Sequence, residues 1–390
     1  MAAAIRLRQI GWTPIIVERA AARRTGGNFV IVFGSGKSAA ARLGISPHLQ
    51  DRRPTGTSYE YDRDGDRRVG MNFSDLSGEA WMVLRGDVEA AAFQALPEDT
   101  EIRYSTIPTK IDQHADGVSV TLSNSADGAS TFAYTEDFDL VVGADGLRST
   151  VRKLAFGPDA KYLRPLNHIV ATFEMPHKLS DLAIEDGAWL VESGRSLIIY
   201  PMHDRMPTAQ LSYRTDDVSA EFTEAAAVRL RKVFGSRPHG RILGEVLDAM
   251  ELAEQYLFDS VEQVHMDRWH NHRVVLVGDA AWCETMYSGL GVSSALAGSD
   301  LLGTMLDRQP DDLHSAFAEW ERVLRPFIDA YQNFGLTQRF FFTPENGKEL
   351  LIRRGLIRLI HTPVTRRLLT ALTRASRTAH LKDQDIAAGI

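Results

Sequence analysis

Two short hydrophobic runs, far apart along the chain, each end in a turn that combines glycine with aspartate. Leu140–Val142 continues as Gly143-Ala144-Asp145-Gly146, and Val274–Val277 continues as Gly278-Asp279. Short apolar runs that stop at such turns are typical of buried strands in a parallel sheet. Because α/β sheets bind ligands at the carboxyl ends of their strands, the pattern predicts an α/β fold with a ligand site around these turns.

The residues after the second run are suited to a polyol and to an electron-rich ring. Asp279 is placed to accept hydrogen bonds from sugar-like hydroxyl groups, and Gly278 allows the sharp turn that presents it. In the run Ser288-Gly289-Leu290-Gly291-Val292, the two glycines let backbone N–H groups at the start of a helix approach a ring closely. A flavin needs both features, so we predict a flavin site here.

With their complete flanks, the two turns resemble those of the flavin-dependent aromatic hydroxylases, the p-hydroxybenzoate hydroxylase-like class. In residues 26–36, two glycines, a strand and then Gly34-Ser35-Gly36 resemble the tetracycline-inactivating branch of that class. The resemblance implies an α/β fold with a Rossmann-like FAD-binding domain of the p-hydroxybenzoate hydroxylase type. An inserted, mostly antiparallel β-sheet substrate domain and a C-terminal helical segment are also implied, with FAD as the cofactor and NAD(P)H as a co-substrate.

The resemblance also assigns roles to residues outside the second turn. Asp145 and Gly146 are implied to serve FAD and passing NAD(P)H. Arg85, at the start of a predicted helix, is implied to reach the ribityl and phosphate region, although a solvated helix-start arginine is the alternative. Glu18, followed by Arg19, ends a predicted strand, and in a Rossmann unit the acid after the second strand bonds the adenosine ribose.

The chain departs from the family pattern at two positions. Trp282 stands where family members usually have histidine, and Met286 where they usually have proline. These departures leave the glycines and Asp279 intact, but they are expected to alter the wall beside the flavin's pyrimidine edge.

The first residues predict the helix that normally follows a glycine-rich loop. Counting back about 20 residues from Glu18 places the last glycine of a G-x-G-x-x-G fingerprint just before Ala2. We therefore expect that the chain starts inside its first βαβ unit and lacks roughly 12–15 residues of strand and pyrophosphate loop. In that case this form of the protein would bind FAD weakly or not at all.

The hydrophobic periodicity divides the chain into three parts. Residues 1–56, 84–162 and 270–345 are predicted to form a discontinuous FAD-binding domain. Residues 57–83 and 163–269, which contain short alternating runs, are predicted to form the substrate-binding β-sheet domain. Residues 346–390 are predicted to form a C-terminal helical segment whose arginines alternate with leucine and isoleucine. For this segment, packing on the body with a solvated arginine face is favoured over contact with a membrane surface.

Composition excludes several classes of function. The 390 residues carry a net charge of −7, whereas a general nucleic-acid binder needs a basic surface. Cys283 is the only cysteine, which is typical of a reducing compartment, and no apolar run reaches membrane-spanning length. The sequence therefore favours a cytoplasmic protein that binds no nucleic acid and has no integral membrane segment, and it leaves the oligomeric state open.

Two further motifs do not support a second chemistry. Gly36-Lys37-Ser38 lacks the earlier glycine of a nucleotide-triphosphate loop, because Ile31 stands in that place. His265, His270 and His272 have no acid or cysteine at ligand spacing, so no metal site is predicted.

The function implied is an FAD-dependent monooxygenase that uses NAD(P)H and O2 to hydroxylate an aromatic or polyketide-like small molecule. We name no catalytic residue, because the cofactor carries this chemistry. A flavin-dependent reductase or halogenase on the same fold is the enzymatic alternative. The tryptophan motif of the halogenases is absent, and Ile198–Pro201 occupies the corresponding region. The non-enzymatic alternative is an inactive product that binds FAD poorly.

Overall fold

Short strands and helices alternate along the chain, as the hydrophobic pattern predicts. The computed structural model describes residues 1–23, 27–72, 80–124, 133–360, 377–388 and 390. The strands are β1 (Ile15–Val17), β2 (Phe29–Val32), β3 (Ser58–Tyr61), β4 (Arg67–Val69), β5 (Trp81–Leu84), β6 (Glu101–Arg103), β7 (Thr106–Gln113), β8 (Val118–Asn124), β9 (Ala133–Phe138), β10 (Val141–Gly143), β11 (Leu163–Glu174), β12 (Gly187–Glu192), β13 (Arg195–Met202), β14 (Arg205–Arg214), β15 (Leu257–Val264), β16 (His270–Asn271) and β17 (Val274–Leu276). The α-helices are α1 (Ala2–Gln9), α2 (Gly34–Arg42), α3 (Arg85–Ala95), α4 (Thr150–Ala155), α5 (Ala226–Phe234), α6 (Arg241–Leu252), α7 (Asp279–Trp282), α8 (Gly291–Arg308), α9 (Leu313–Phe342), α10 (Gly347–Ile360) and α11 (Arg377–Asp383).

The nucleotide-binding part of the fold contains two parallel strand pairs. Strand β1 pairs with β6, and β10 pairs with β17, which also forms a short antiparallel ladder with β16. Among the described residues these pairs belong to separate sheets of two and three strands. Helices α1, α2 and α9 pack around α8, so the α/β architecture that the sequence predicts is confirmed here.

A seven-stranded sheet forms the second part of the fold, in the order β15-β11-β14-β13-β12-β3-β4. All its neighbouring strands are antiparallel except β12 and β3. Since side chains alternate between the faces of a strand, one face carries apolar residues such as Leu197, Ile199 and Leu211, which pack against α5 and α6. The opposite face, called the inner face below, turns toward the nucleotide-binding part.

Strand β5 does not pair with the strands of the domain to which the sequence pattern assigns it. Residues 81–83 fall within the segment predicted for the substrate domain, but β5 forms an antiparallel pair with β2 instead of joining the seven-stranded sheet. The register Phe29↔Leu84 brings the start of α3 next to β2. The domain boundaries themselves remain predictions.

Three tryptophans form the centre of the largest hydrophobic core. The rings of Trp269, Trp282 and Trp320 lie 4.8–5.8 Å apart between centroids, and all three side chains are buried. Trp320 lies on α9, which the sequence predicts over 313–334 and which extends to Phe342. Because this helix is 30 residues long, it reaches from the tryptophans to the inner face of the sheet.

The C-terminal segment begins with a helix, as predicted, and its end packs on the nucleotide-binding part. After α10, residues 361–376, including the predicted interruption at Thr362-Pro363, lie outside the described residues. Beyond them, Asp385 forms a two-point ion pair with Arg42 of α2 at 2.6 and 2.8 Å. Within the described ranges, no helix is both long and apolar enough to cross a membrane.

Candidate flavin site

The two predicted turns lie side by side, because their strands are neighbours. Strands β10 and β17 are parallel with Val141 opposite Val274 and Gly143 opposite Leu276. The backbone N–H of Val277 donates to the carbonyl of Gly143 at 2.9 Å, which extends the pairing to the edge of the sheet. The two turns, distant in sequence, therefore leave the sheet at the same edge.

Gly278 adopts a backbone conformation that residues with a side chain disfavour. Its φ of 62° and ψ of −145° lie in a region that a side chain disfavours. A Cβ at this position would also lie 3.4 Å from the Cβ of Ala295 on α8. The glycine therefore allows Asp279 to begin α7 directly at the sheet edge.

The Asp279 side chain is reached by solvent, although protein atoms surround it closely. Its side chain is exposed, yet the surrounding protein raises the pKa of its carboxyl, and the positive charge of Arg85 opposes this effect. A Cβ built on Gly291 would stand 3.7 Å from Asp279 Oδ1, so the start of α8 faces the carboxylate across a narrow gap. The structure thus brings Asp279 and Gly291 together, as the sequence predicts.

The segment 289–292 forms the entry to α8. Gly289 has a φ of 66°, Leu290 is fully buried, and Gly291 begins the helix with Val292 behind it; both are half-buried. The first N–H groups of a helix have no partner within the helix, and the helix dipole makes this end positive. The start of α8 is therefore a place where a polar ring edge can accept hydrogen bonds.

Arg85 is close enough to Asp279 for its charge to act on that carboxyl. It begins α3, and its backbone N–H donates to the carbonyl of Asn28 at 2.9 Å, which ties it to the residue just before β2. In the described part of the chain its exposed guanidinium makes no side-chain hydrogen bond, and its charge lowers the pKa of Asp279. An exposed cation that faces the acceptor Asp279 is suited to an anionic group such as a phosphate.

Asp145 caps a helix in this structure. Its carboxylate accepts the backbone N–H groups of Thr150 at 2.6 Å and Val151 at 3.0 Å, together with the hydroxyl of Ser149. Gly146, with a φ of 81°, follows it in open space. Both carboxylate oxygens of Asp145 thus hold the start of α4, and its role toward the flavin remains a prediction.

Arg152 was not singled out from the sequence, although it links the two turns. It is fully buried and donates to the carbonyls of Ala280 at 2.9 Å and Leu147 at 2.7 Å, and to Asp159 at 2.6 Å. It therefore joins α4, which follows the Asp145 turn, to α7, which begins at Asp279. The only sequence signal for Arg152 is that several basic residues, among them Arg148 and Arg152, follow the first turn.

Glu18 and Arg19 follow β1, away from the second turn. Both are exposed, and Glu18 Oε1 accepts the backbone N–H of Ala20 at 2.7 Å. In the described part of the chain, the hydrogen bonds of Glu18 are made to this turn and to the backbone of β6 and β7. The assignment of Glu18 to the adenosine ribose remains a prediction.

Trp282 does not form a wall of the cleft, contrary to expectation. Its ring is 1% exposed within the tryptophan core, and Nε1 donates to Ser294 Oγ at 3.2 Å. A Cβ on Gly298 of α8 would lie only 2.9 Å from this ring, so the glycine makes room for it. An indole is large and mostly apolar, so placing the Trp282 ring in the core is more favourable than exposing it to solvent in the cleft.

Glu284 is a second residue that the sequence analysis missed. It lies five residues after Asp279, is 1% exposed, and Ser288 Oγ donates to its Oε2 at 3.3 Å, while Oε1 has no partner. Burial raises the pKa of Glu284 to about 8, the charge of Asp279 adds to this, and the nearby hydroxyl groups of Ser294 and Ser288 oppose it. The carboxyl is therefore neutral below about pH 8.

The inner face of the large sheet combines polar and aromatic side chains. Alternation from the apolar face places on it His168, Thr172, Trp189, Ser196, Tyr200, Gln210 and Ser212. Tyr200 stacks on Phe29 of β2 with ring centroids 4.4 Å apart. Residues 279–292 are called the flavin segment below, and the hydroxyl of its Tyr287 lies 3.0 Å from Ser212 Oγ. This face therefore lies against the residues that follow Asp279.

The chain's residues fit a flavin at this cleft. Asp279 is an acceptor that solvent reaches, and the start of α8 is a donor end that faces it. A side chain at Gly291 would fill the gap between them. An acceptor for ribityl hydroxyls beside a positive helix end is the donor and acceptor set that a flavin requires.

The fold and the cleft define a flavoprotein of the Rossmann-like type, and comparison with known proteins gives its family. A sequence profile described as the FAD binding domain matches residues 90–308. An uncharacterized protein of Mycobacterium tuberculosis, Rv1260, is 30% identical over 339 residues, which cover 85% of this chain and 88% of that protein. A flavin-dependent monooxygenase of Legionella longbeachae is 28% identical over 364 residues, which cover 90% and 89%.

A solved structure agrees with these relatives. The crystal structure of the tetracycline destructase Tet(51) matches with a TM-score of 0.74 and 25% identity over 94% of both chains. The chain therefore belongs to the FAD-binding-domain family of flavin-dependent hydroxylases, the p-hydroxybenzoate hydroxylase-like class, and is an FAD-dependent monooxygenase.

Proposed function

We propose that the protein uses NAD(P)H and O2 to hydroxylate an aromatic or polyketide-like small molecule held between the cleft and the inner face. When bound, FAD supplies the redox chemistry, in which one oxygen atom of O2 enters the substrate and the other leaves as water. The chain's own residues bind the cofactor, orient the substrate and exclude water from the space between them.

The placement of Asp279 against the start of α8 carries this proposal. In the proposed binding mode, Asp279 accepts hydrogen bonds from the ribityl hydroxyls of FAD. The N–H groups of Gly291 and Val292 face the ring, and Arg85 faces the phosphates. Asp145 and Gly146 line the neighbouring turn, where we place the approach of NAD(P)H.

The composition of the inner face supports the substrate class. Thr172 and Gln210 are register partners on β11 and β14, and the aromatic rings of Trp189 and Tyr200 lie on the neighbouring strands. A planar ring that carries hydroxyl or carbonyl groups can stack on the aromatic residues and bond to the polar ones.

The test is ligand-stimulated oxidation of NAD(P)H by the FAD-loaded protein. Aromatic and polyketide-like compounds are screened, and the product of an active compound is analysed after reaction under 18O2. We expect one labelled oxygen atom in the product. Full conversion without O2 would support a reductase instead, and product formation that requires chloride would support a halogenase.

We also propose a cytoplasmic location. The single cysteine, Cys283, supports it, because it is buried and is not needed for a disulfide framework. Fractionation of the native host, with antibody detection of the chain, tests this assignment.

Asp279→Ala is expected to weaken FAD binding by about 1.5–3 kcal/mol, or roughly 10- to 150-fold in Kd, because the ribityl hydroxyls lose a charged acceptor. Fluorescence titration with FAD measures the effect. Asp216→Ala, at a position with a 93% exposed side chain, is the control and should leave Kd unchanged. Equal flavin content in Asp279→Ala and the unmodified protein would remove Asp279 from the site.

Glu18→Ala is expected to weaken FAD binding more than FMN binding, because only FAD carries the adenosine ribose that this carboxylate would bond. Glu101→Ala is the matched control, since Glu101 lies on the paired strand β6 and forms an ion pair with Arg103. Equal loss of both flavins in Glu18→Ala would contradict the assignment to the ribose.

A further inference from the structure

A cluster of four buried hydroxyl groups lies between the flavin segment and the substrate sheet. The Tyr287 hydroxyl lies 3.0 Å from Ser212 Oγ. Thr343 Oγ1 lies 3.2 Å from Ser196 Oγ, and Ser196 is the register partner of Ser212. The four residues are between 0 and 2% exposed, so these hydroxyl groups are shielded from solvent.

The four residues come from three different parts of the fold. Ser196 and Ser212 are register partners on β13 and β14, on the inner face of the sheet. Thr343 caps the end of the long helix α9. Tyr287 lies between Asp279 and Gly289. It is therefore the one residue of the four that belongs to the flavin segment.

The backbone around Tyr287 transmits its position to the flavin site. The N–H of Tyr287 donates to Thr285 Oγ1 at 3.3 Å, and the N–H of Gly289 donates to the carbonyl of Met286 at 3.2 Å. These bonds form a tight turn that ends at Gly289, two residues before α8 begins. A tether on Tyr287 therefore fixes where the first turn of α8 stands relative to the sheet.

Packing alone does not require the hydroxyl. The Tyr287 ring contacts Phe342 at 5.9 Å and the edge of His168 at 6.0 Å between centroids, and a phenylalanine would keep both contacts. The hydroxyl adds direction, because its bond to Ser212 sets the height of the ring above the inner face.

We propose that Tyr287 is a positioning residue whose hydroxyl holds the flavin segment at a fixed place above the substrate sheet. This inference rests on the proposed function, because the segment would hold the flavin and the inner face would hold the substrate. Loss of the hydroxyl leaves FAD bound, but it loosens the alignment of the two sites. NAD(P)H oxidation then produces less hydroxylated product and more hydrogen peroxide.

The experiment compares Tyr287→Phe with Tyr213→Phe in the FAD-loaded protein. Tyr213 is a matched control because it lies next to Ser212 on β14, points to the opposite face, is equally buried and donates to Glu221 at 2.6 Å. For Tyr287→Phe we expect the product formed per NAD(P)H oxidised to fall by about 3- to 10-fold, the effect of one neutral hydrogen bond, with FAD affinity within about 3-fold. Tyr213→Phe should lower thermal stability without changing this yield.

Ser212→Ala tests the same bond from the sheet side. We expect it to reproduce the lower product yield of Tyr287→Phe, and the double variant should be no worse than either single variant, since both remove one interaction. An unchanged yield in Tyr287→Phe, or an equal fall in Tyr213→Phe, would overturn the proposal.

A second measurement does not depend on turnover. Hydrogen exchange of the peptide that covers residues 283–292 is followed in the FAD-bound protein, and it should be faster in Tyr287→Phe than in Tyr213→Phe. If the unmodified protein hydroxylates no compound, the proposed function fails while this comparison still decides the tether. Equal exchange in both variants would show that the hydroxyl does not position the segment.

Discussion

Glu60→Ala is expected to destabilise the protein by about 3–5 kcal/mol, because it leaves the positive charge of Arg353 buried without its partner. Arg353 Nη1 lies 2.7 Å from Glu60 Oε1, and the two side chains are 1% and 3% exposed. Burial lowers the pKa of Arg353 and the charge of Glu60 opposes this, so the pair depends on both members. The bond also joins α10 to β3, so its loss should loosen the contact of α10 with the sheet.

Denaturant unfolding measures this effect, and two further variants define its cause. Arg231→Ala removes an exposed pairing with Asp248 and Glu251 and should cost less than about 1 kcal/mol. Glu60→Leu combined with Arg353→Met replaces the pair with apolar side chains and should recover most of the lost stability. If the double variant is as unstable as Glu60→Ala, shape rather than charge governs the site.

Glu284→Gln is expected to make the protein more stable than the unmodified form at alkaline pH, by roughly 4 kcal/mol near pH 8.5. Burial raises the pKa of Glu284 from 4.5 to about 8, so the folded state holds a proton that the unfolded state releases. The stabilising contribution of this proton is complete below pH 4.5 and is lost as the pH rises toward 8. Glutamine needs no proton and avoids this loss.

Unfolding free energies at several pH values test this sign. The profile of Glu284→Gln should be flatter than that of the unmodified protein between about pH 5 and 8, and the two should converge at the acidic end. Glu224→Gln, at an exposed carboxylate paired with Lys232, serves as the control and should keep the original profile. Parallel profiles for Glu284→Gln and the unmodified protein would mean that Glu284 is ionised in the folded state.

Local patterns in the sequence predicted the two turns well. The apolar run before Gly278 and the glycines at 289 and 291 determine strand, turn and helix start through neighbouring residues alone. The structure adds that β10 and β17 are parallel neighbours, which places the two turns at the same edge of the sheet. The cap that Asp145 forms is equally local, since Ser149 and Thr150 follow it by four and five residues.

Contacts between distant residues could not be predicted in this way. Arg152 meets Ala280 128 residues later, and Arg353 meets Glu60 across 293 residues. Nothing near Tyr287 in the sequence indicates Ser212, because that bond depends on how the segment before α8 packs against the sheet. The burial of Trp282 depends likewise on a glycine in another helix, Gly298, which the residues around Trp282 do not indicate.

The register of β10 against β17 limits how this protein can be altered. Asp145 and Asp279 are aligned by backbone pairing, so conservative exchanges along either strand should leave the turns in place. A single-residue insertion or deletion would shift one turn by about 3.3 Å and invert the facing of every side chain in that strand. Libraries aimed at new substrates should therefore vary positions on the inner face, such as Thr172 and Gln210, and keep the length of both strands unchanged.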